Sequence, residues 1–296
     1  MNAPPTPPPP QAARLPAGLA LGPVRLRVAD LARSADWLAR VTGLQPLGPT
    51  TWGVPPATPL VELREVPQAR PVPRQGRLGL YHYAVLLPTR ADLGRFLSHL
   101  EALDEPWGAS DHLVSEAIYL TDPDGLTVEV YADRPTEAWP RAGGELRMAL
   151  DPLDRDGLVA AVGATRWEGA PAGTRMGHVH LFVDDLHAAE RHYVRGVGFE
   201  VVTRRLPGAL FVAAGGYHHH LGLNTWAAGE PVAGEHDAGL DEWSLELPTA
   251  AALGELEARL GAAGIAAGRE PGGVRLSDPW GVGLRVTWRA PAPGRP

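Results

Sequence analysis

The chain has 296 residues, of which 44% are hydrophobic and 21% charged, so it is long enough to form two globular domains with substantial cores. Its formal net charge is -7 and all 27 lysine-or-arginine positions are arginines, which argues against a broad cationic surface for nucleic acid or an anionic membrane. The chain has no cysteine, which excludes disulfides and thiolate chemistry and is typical of a cytoplasmic protein.

The first twenty residues are rich in proline. Consecutive prolines cannot form an α-helix, and the segment lacks the basic start and apolar run of a secretory signal peptide. We therefore predict a disordered tail over residues 1–20. No segment reaches the about 18 uninterrupted apolar residues that a membrane-spanning helix needs, so we expect no membrane partner.

One pattern then recurs four times: an alternating strand, a polar turn, an amphipathic helix, and further strands bounded by glycine or proline. The four units begin at Gly22, Gly79, Gly177 and Gly239. The 3.6-residue spacing of leucines predicts a helix over residues 90–103 in unit two and one that ends near residue 264 in unit four. Units two and four each end in an Asp-Pro-x-Gly turn that introduces a last strand.

These units predict an α+β fold with four βαβββ units in two tandem modules, which form two curved mixed-sheet barrels because one unit cannot bury its own apolar face. We place the modules at residues 21–133 and 176–289. Residues 134–175 are rich in Pro, Gly and Ala and are predicted to be a linker with at most one helix, and residues 290–296 form a second tail.

Candidate metal ligands occur in units two and three. Unit three places His178 and His180 on one face of its first strand, whereas unit two places His82 on its first strand and Glu129 on its last. The equivalent positions of units one and four carry Pro23, Arg25, Glu242 and Arg285. Two neutral imidazoles and one carboxylate leave coordination positions open on ferrous iron. His82, Glu129 and His178 are therefore a candidate metal site.

Each of these residues also has a simpler interpretation. A single histidine in a strand is more often a hydrogen-bonded core or surface residue than a ligand, and Glu129 alone is compatible with the polar mouth of a barrel. The consecutive histidines His218, His219 and His220 are compatible with a surface patch that scavenges metal. The occurrence of His82, Glu129 and His178 at near-equivalent places in a repeat favours the metal site.

The sequence resembles the vicinal oxygen chelate superfamily, and within it the two-module, catechol-2,3-dioxygenase-like extradiol enzymes. The resemblance covers about residues 20–133 and 176–288. Its most specific part is a His-x-x-Ser segment at His112, followed by Tyr119, an Asp-Pro-x-Gly turn and Glu129.

This resemblance implies an enzyme that binds ferrous iron, chelates a small aromatic diol through its two adjacent oxygens, and uses dioxygen to cleave the ring beside the hydroxyls. The family's ligands match His82, Glu129 and His178, a set that also suits manganese. His219 corresponds to the acid–base histidine, or His220 does if the strand register differs by one residue. His112 and Tyr119 would donate hydrogen bonds to oxygen atoms. His180 and His220 are expected near the ligands without binding the metal.

One departure from the family is that neither tandem module holds a full ligand set. We therefore predict that units two and three close into one barrel with the metal, and that units one and four form a second barrel without it. A distance of more than about 8 Å between His82 and His178 would contradict this arrangement, because metal–nitrogen bonds are only about 2 Å long.

Two other functions fit the same fold. A glyoxalase-like isomerase or lyase uses two carboxylates, but the position expected for the second one carries His220. A metal-free binding protein needs only a cavity with aromatic walls, for which Trp107, Trp226 and Trp243 are candidates. The sequence leaves open the ring substituents of the substrate, the choice between iron and manganese, and the oligomeric state, a homo-oligomer included.

Overall fold

The computed structural model describes residues 14–162 and 165–289, and the predicted tail over residues 290–296 lies outside them. Nineteen strands occur in the described part of the chain. They are β1 (Ala20–Leu21), β2 (Val24–Val28), β3 (Gln45–Pro46), β4 (Thr51–Val54), β5 (Thr58–Glu65), β6 (Gly79–Leu86), β7 (Gly108–Asp111), β8 (Ser115–Thr121), β9 (Thr127–Asp133), β10 (Arg141–Ala142), β11 (Glu145–Leu146), β12 (Arg175–Phe182), β13 (Glu200–Thr203), β14 (Ala209–Ala213), β15 (Leu221–Asn224), β16 (Gly239–Leu247), β17 (Ala267–Glu270), β18 (Gly273–Ser277) and β19 (Gly283–Trp288).

Five α-helices accompany these strands within the described residues. They are α1 (Leu31–Trp37), α2 (Arg90–Ala102), α3 (Arg155–Ala160), α4 (Leu186–Ala189) and α5 (Ala250–Ala262). A π-helical turn extends α1 over Leu38–Thr42 and another extends α4 over Glu190–Val197, and a 3₁₀ turn covers Thr136–Ala138. Helices α2 and α5 begin after Thr89 and Thr249, whose side chains accept hydrogen bonds from the first-turn amides, as the preference for threonine at helix N-termini predicts.

The strands form two curved mixed sheets. In each βαβββ unit the last strand lies parallel to the first, and the helix lies in the connection between the first and second strands. Units two and three share one sheet, the site sheet, in the order β13-β14-β15-β12-β6-β9-β8-β7. Units one and four share the second sheet, in the order β17-β18-β19-β16-β2-β5-β4-β3, with β1 added on β16. The predicted α+β class and its four units are confirmed, and units two and three share a sheet as predicted.

Apolar helix faces cover one side of the sheets and form the core. In α2 the predicted stripe of Leu93, Phe96, Leu97 and Leu100 has no exposed surface. Trp243 of β16 is also fully buried in this core. The other side of the site sheet is therefore free to hold polar side chains.

Two segments are more ordered than their composition predicts. Residues 1–13 of the predicted tail lie outside the described residues, but residues 14–20 pack on the protein, with Leu15 and Leu19 buried and the Leu15 amide bonded to the Gly198 carbonyl at 2.9 Å. Within residues 134–175, β10 and β11 form a hairpin and α3 packs on α2, where the Leu158 carbonyl lies against Gly94. A few isolated leucines anchor both segments, a signal too short for periodicity to detect.

No helix in the part of the chain that the structure describes is both long enough and apolar enough to cross a bilayer.

Candidate active site

The centre of the site sheet brings together the first strands of units two and three. Strands β6 and β12 pair in antiparallel register with His82 opposite His180, and β9 lies parallel to β6 with Glu129 opposite Ala84. The β6–β12 pairing is irregular on both sides of the segment that contains His178. His178 lies opposite Ala84, one strand step along β12 from the His180–His82 pair.

The side chains of His82, Glu129 and His178 converge. His82 Nε2 lies 3.0 Å from Glu129 Oε2, His178 Nε2 lies 3.2 Å from the same oxygen, and the two Nε2 atoms are 3.3 Å apart. All three side chains are buried. Within residues 14–162 and 165–289 they are the one group of three potential ligands whose donor atoms lie within 4.8 Å of one another.

The electrostatic states of Glu129 and His178 suit a cation. Burial raises the pKa of the Glu129 carboxyl, but charge and hydrogen bonds from His178 and His82 outweigh it and hold the pKa well below its usual range. Burial also lowers the pKa of His178 to about 4, against the opposing effect of Glu129. Near neutral pH the cluster therefore contains a buried carboxylate and a neutral His178 imidazole.

A divalent metal ion fits this donor set. Bonds of about 2.1 Å to nitrogen and oxygen, set at right angles, place neighbouring donors about 3.0 Å apart, close to the observed 3.0–3.3 Å. The Nδ1 atoms of His82 and His178 are buried without a hydrogen-bond partner, whereas most metal-bound histidines donate this second N–H. Ring packing orients them instead: His178 lies 4.0 Å from His219 and His82 lies 4.7 Å from Tyr81, measured between ring centroids.

His112 and Tyr119 lie beside the three converging residues. Nδ1 of His112 lies 2.8 Å from the Ala149 carbonyl and must carry the proton, so in the neutral ring Nε2 accepts the 2.6 Å hydrogen bond from the Tyr119 hydroxyl. Burial and the Glu129 charge raise the pKa of Tyr119 well above its usual range. Tyr119 is thus a neutral donor at the edge of the site.

His219 and His220 point in different directions. His219 lines the cavity above the cluster, whereas Nδ1 of His220 accepts a hydrogen bond from the Ala214 amide at 3.2 Å and the ring lies outside that cavity. The expectation that His220 lies beside His82, Glu129 and His178 is therefore wrong, since its ring does not line the cavity above them. His180 does line the cavity, where its Nε2 accepts a 2.9 Å bond from the Asn224 amide.

His219 belongs to a chain of hydrogen bonds that was not predicted. Its Nδ1 lies 2.8 Å from Nδ1 of His218, and Nε2 of His218 lies 2.8 Å from the Asp133 carboxylate. If His218 donates to the carboxylate, its Nδ1 accepts from His219, and Nε2 of His219 keeps its lone pair. The Tyr217 hydroxyl donates to the same carboxylate at 3.0 Å. Asp133 follows Glu129 at a four-residue spacing in β9, so strand alternation predicts a shared face and would have identified it.

The cavity over this cluster has a volume of about 140 Å³. Its floor is polar, and its outer wall is apolar and aromatic. The outer wall consists of Tyr81, Met148, Ala149, Leu150, Leu206, Phe211 and Trp226. Of the three tryptophans suggested for a cavity wall, only Trp226 is in place, because Trp243 is fully buried and Trp107 packs against the core.

The second sheet carries ion pairs at the positions equivalent to this cluster. Arg25 lies 3.7 Å from Glu242, which also pairs with Arg275, and Arg285 pairs with Glu270 at 2.7 Å. Guanidinium groups here neutralise the carboxylates. The two sheets are therefore chemically distinct despite their shared topology.

Two comparisons of the sequence with known proteins found matches. The sequence profile of the Glyoxalase/Bleomycin resistance protein/Dioxygenase superfamily matches residues 20–130. A Bacillus subtilis (strain 168) protein named catechol-2,3-dioxygenase is 38% identical over 266 residues, which cover 88% of this chain and 93% of that protein.

Two solved structures have a similar fold. A protein from Bacillus subtilis subsp. subtilis str. 168, named for a proposed dioxygenase activity, matches with a TM-score of 0.64 at 14% identity, over 94% of this chain and 87% of that one. Glyoxalase I from Zea mays matches with a TM-score of 0.54 at 15% identity, over 91% and 92%. At these identities the likeness concerns the fold alone.

Proposed function

Because this chain belongs to the glyoxalase/bleomycin resistance protein/dioxygenase superfamily, we propose that it is an extradiol dioxygenase that uses non-haem ferrous iron and dioxygen to open the ring of a catechol-type substrate. The observation that carries the proposal is the buried triangle of His82, Glu129 and His178 beneath an apolar cavity. The relative named catechol-2,3-dioxygenase supports the reaction type.

His82, Glu129 and His178 would hold the iron. When bound there, the metal would supply open positions for the two substrate oxygens and for dioxygen, and a path for electrons between them. Both atoms of dioxygen enter the ring-opened product, so the overall reaction needs no external reductant. Manganese fits the same donors, and the assay below is to be run with each metal.

His219 is the proposed base for the substrate hydroxyl. Burial holds its pKa well below its usual range, so the ring is neutral near pH 7, and the hydrogen bond to His218 leaves Nε2 free to accept a proton. The same nitrogen would return the proton as the ring opens. His219 therefore has the protonation state that a general base needs.

Tyr119 and His112 are proposed to stabilise negative charge on oxygen. The Tyr119 hydroxyl lines the cavity and is held by His112, whose other nitrogen is fixed on the Ala149 carbonyl. The Tyr119 O–H would turn from Nε2 of His112 towards a bound oxygen and stabilise the negative charge that develops there. The pair would act on oxygen atoms bound beside Glu129.

The two other functions fit the cavity less well. A glyoxalase-like reaction calls for a second carboxylate, but Glu129 is the sole carboxylate among the described residues that line the cavity. A metal-free binding protein would have no need of a buried carboxylate with two imidazoles at hydrogen-bond distance, because burying a charge is costly without a counter-ion.

The proposal is tested by loading anaerobically purified protein with ferrous iron or manganese and following oxygen uptake and the yellow ring-opened product from catechol. Changing a residue that only supports a metal ligand lowers activity by about 10- to 100-fold. We expect His82→Ala, which removes a ligand itself, to lower activity by more than this. His236→Ala removes an exposed histidine and is the matched control. If the wild-type protein takes up oxygen and His82→Ala takes it up at the same rate, His82 is not part of the site.

A further inference from the structure

The outer wall of the cavity points to the kind of ring substituent that the substrate carries. Resting on the proposed dioxygenase function, we propose that the substrate is a single-ring catechol with an uncharged apolar substituent, such as an alkyl group or a halogen, rather than a catechol carboxylate. The cavity volume of about 140 Å³ lies below the about 300–1,000 Å³ of typical drug-sized sites, which favours one ring.

The polar groups that would bind the diol are buried, whereas apolar side chains are exposed at the rim, and this difference orients the ring. His82, Glu129 and His219 line the floor, where the diol oxygens would bind. The opposite carbons of the ring then face Leu150, Leu206 and Trp226. A substituent at these carbons meets apolar surface.

Charge balance in the cavity opposes a second anion. A divalent ion, the Glu129 carboxylate and a singly ionised catechol sum to zero. No arginine lines the cavity within residues 14–162 and 165–289, and the sequence contains no lysine. A carboxylate on the ring would lose water without gaining a cation, which is unfavourable.

The nearest arginines in sequence do not supply that cation. Arg205, next to Leu206, pairs with Glu145 at 3.2 Å and donates to the Ala142 carbonyl at 2.8 Å. Arg147, next to Met148, is exposed and does not line the cavity. Both lie outside the wall that a substituent would contact.

Hydrogen bonds within the protein hold the apolar wall. The Ala149 carbonyl accepts a hydrogen bond from His112 Nδ1 at 2.8 Å, and the Ala149 amide donates to the His112 carbonyl at 3.4 Å. Trp226 Nε1 donates to the Pro207 carbonyl at 3.1 Å. Leu150 and Trp226 remain 61% and 45% exposed at the rim, which is where a substituent would cover them. Covering apolar surface favours binding.

The test compares kcat/KM for 4-ethylcatechol and 3,4-dihydroxyphenylacetate on the ferrous protein, together with anaerobic binding of both to the metal-free protein by tryptophan fluorescence. We expect the carboxylate to be at least about 100-fold poorer in kcat/KM, as an unpaired buried charge implies. Leu150→Arg, at an exposed position that tolerates the change, should shift this ratio about fivefold towards the carboxylate, the effect of a partly exposed ion pair. Leu206→Arg tests the same effect deeper in the wall.

The outcomes separate the inference from the function on which it rests. Val201→Arg, exposed and outside the cavity, is the control and should leave the ratio unchanged. Equal cleavage of both compounds, or an equal shift in Val201→Arg and Leu150→Arg, would overturn the inference and leave the dioxygenase function standing. If neither compound is cleaved but 4-ethylcatechol still binds more tightly, the dioxygenase proposal fails and the apolar preference stands.

Discussion

At the scale of single residues, the chemistry of the proposed base depends on a neighbour in sequence. His218 has no exposed surface and lies between His219 and Asp133, with 2.8 Å contacts to both. The carboxylate selects the tautomer of His218, and His218 in turn selects that of His219. If His219 is the base, His218 and Asp133 would therefore be positioning residues that act through it.

We predict that His218→Phe lowers kcat by about 10- to 100-fold. This is smaller than the about 10²- to 10⁴-fold that general acid–base catalysis contributes, because His219 itself remains. KM and bound iron should change little, because phenylalanine preserves the ring packing against Tyr217 and Trp139. The measurement is steady-state kinetics at several pH values. His220→Phe, in the adjacent ring outside the cavity, is the comparison, and an equal fall in kcat there would show that both changes act through packing.

The sequence could not decide between His219 and His220. Alternation assigns faces only inside a strand, and the three histidines lie in the turn that precedes β15. In contrast, His178 and His180 lie inside β12 and share the cavity side as predicted, because the strand is long enough for its period to be read.

At the scale of secondary structure elements, the pairing of β12 with β6 is irregular beside His178, and Gly177 lies at this irregularity. A side chain on Gly177 would overlap the hydroxyl of Tyr131, which is buried and lies 2.7 Å from that of Tyr217. Tyr131 cannot move away without losing this bond. Only glycine at position 177 therefore leaves room for the Tyr131 hydroxyl and its hydrogen bond to Tyr217.

Gly177→Ala should destabilise the protein by about 1–3 kcal/mol, the usual cost of overpacking a core. Urea unfolding of the metal-free protein measures this change. Gly108→Ala, where an added methyl group meets nothing within 4 Å, is the control and should stay within about 0.5 kcal/mol of wild type. A free energy of unfolding that is the same in Gly177→Ala as in wild type would show that Tyr131 has room to move.

Predictability from sequence varied among the elements. Helices α2 and α5 were predicted to within a few residues, because Thr89 and Thr249 begin them and leucines recur at helical spacing. Residues 134–175 were predicted as a linker, yet Met148, Ala149 and Leu150 within them form part of the cavity wall. The fold of this segment depends on contacts with His112, distant in sequence, which no local pattern encodes.

At the scale of the whole molecule, the fold divides its four units between one sheet with the candidate site and one without it. Units two and three meet through the β6–β12 pair, and units one and four meet through β2 and β16. The candidate ligands occur in units two and three, whereas the equivalent positions of units one and four carry Pro23, Arg25, Glu242 and Arg285. This difference allowed the pairing of the units to be predicted from the sequence. The side-chain directions that complete the cavity required the structure.

The central claim is that residues from two different units hold one metal ion. Diffraction from anaerobically iron-loaded crystals of the full chain, recorded at the iron absorption edge, locates the ion directly. We predict a single anomalous peak about 2.2 Å from His82 Nε2, His178 Nε2 and a Glu129 carboxylate oxygen. An anomalous peak beside His180 and His219 instead, or the absence of a peak beside Glu129, would contradict this claim.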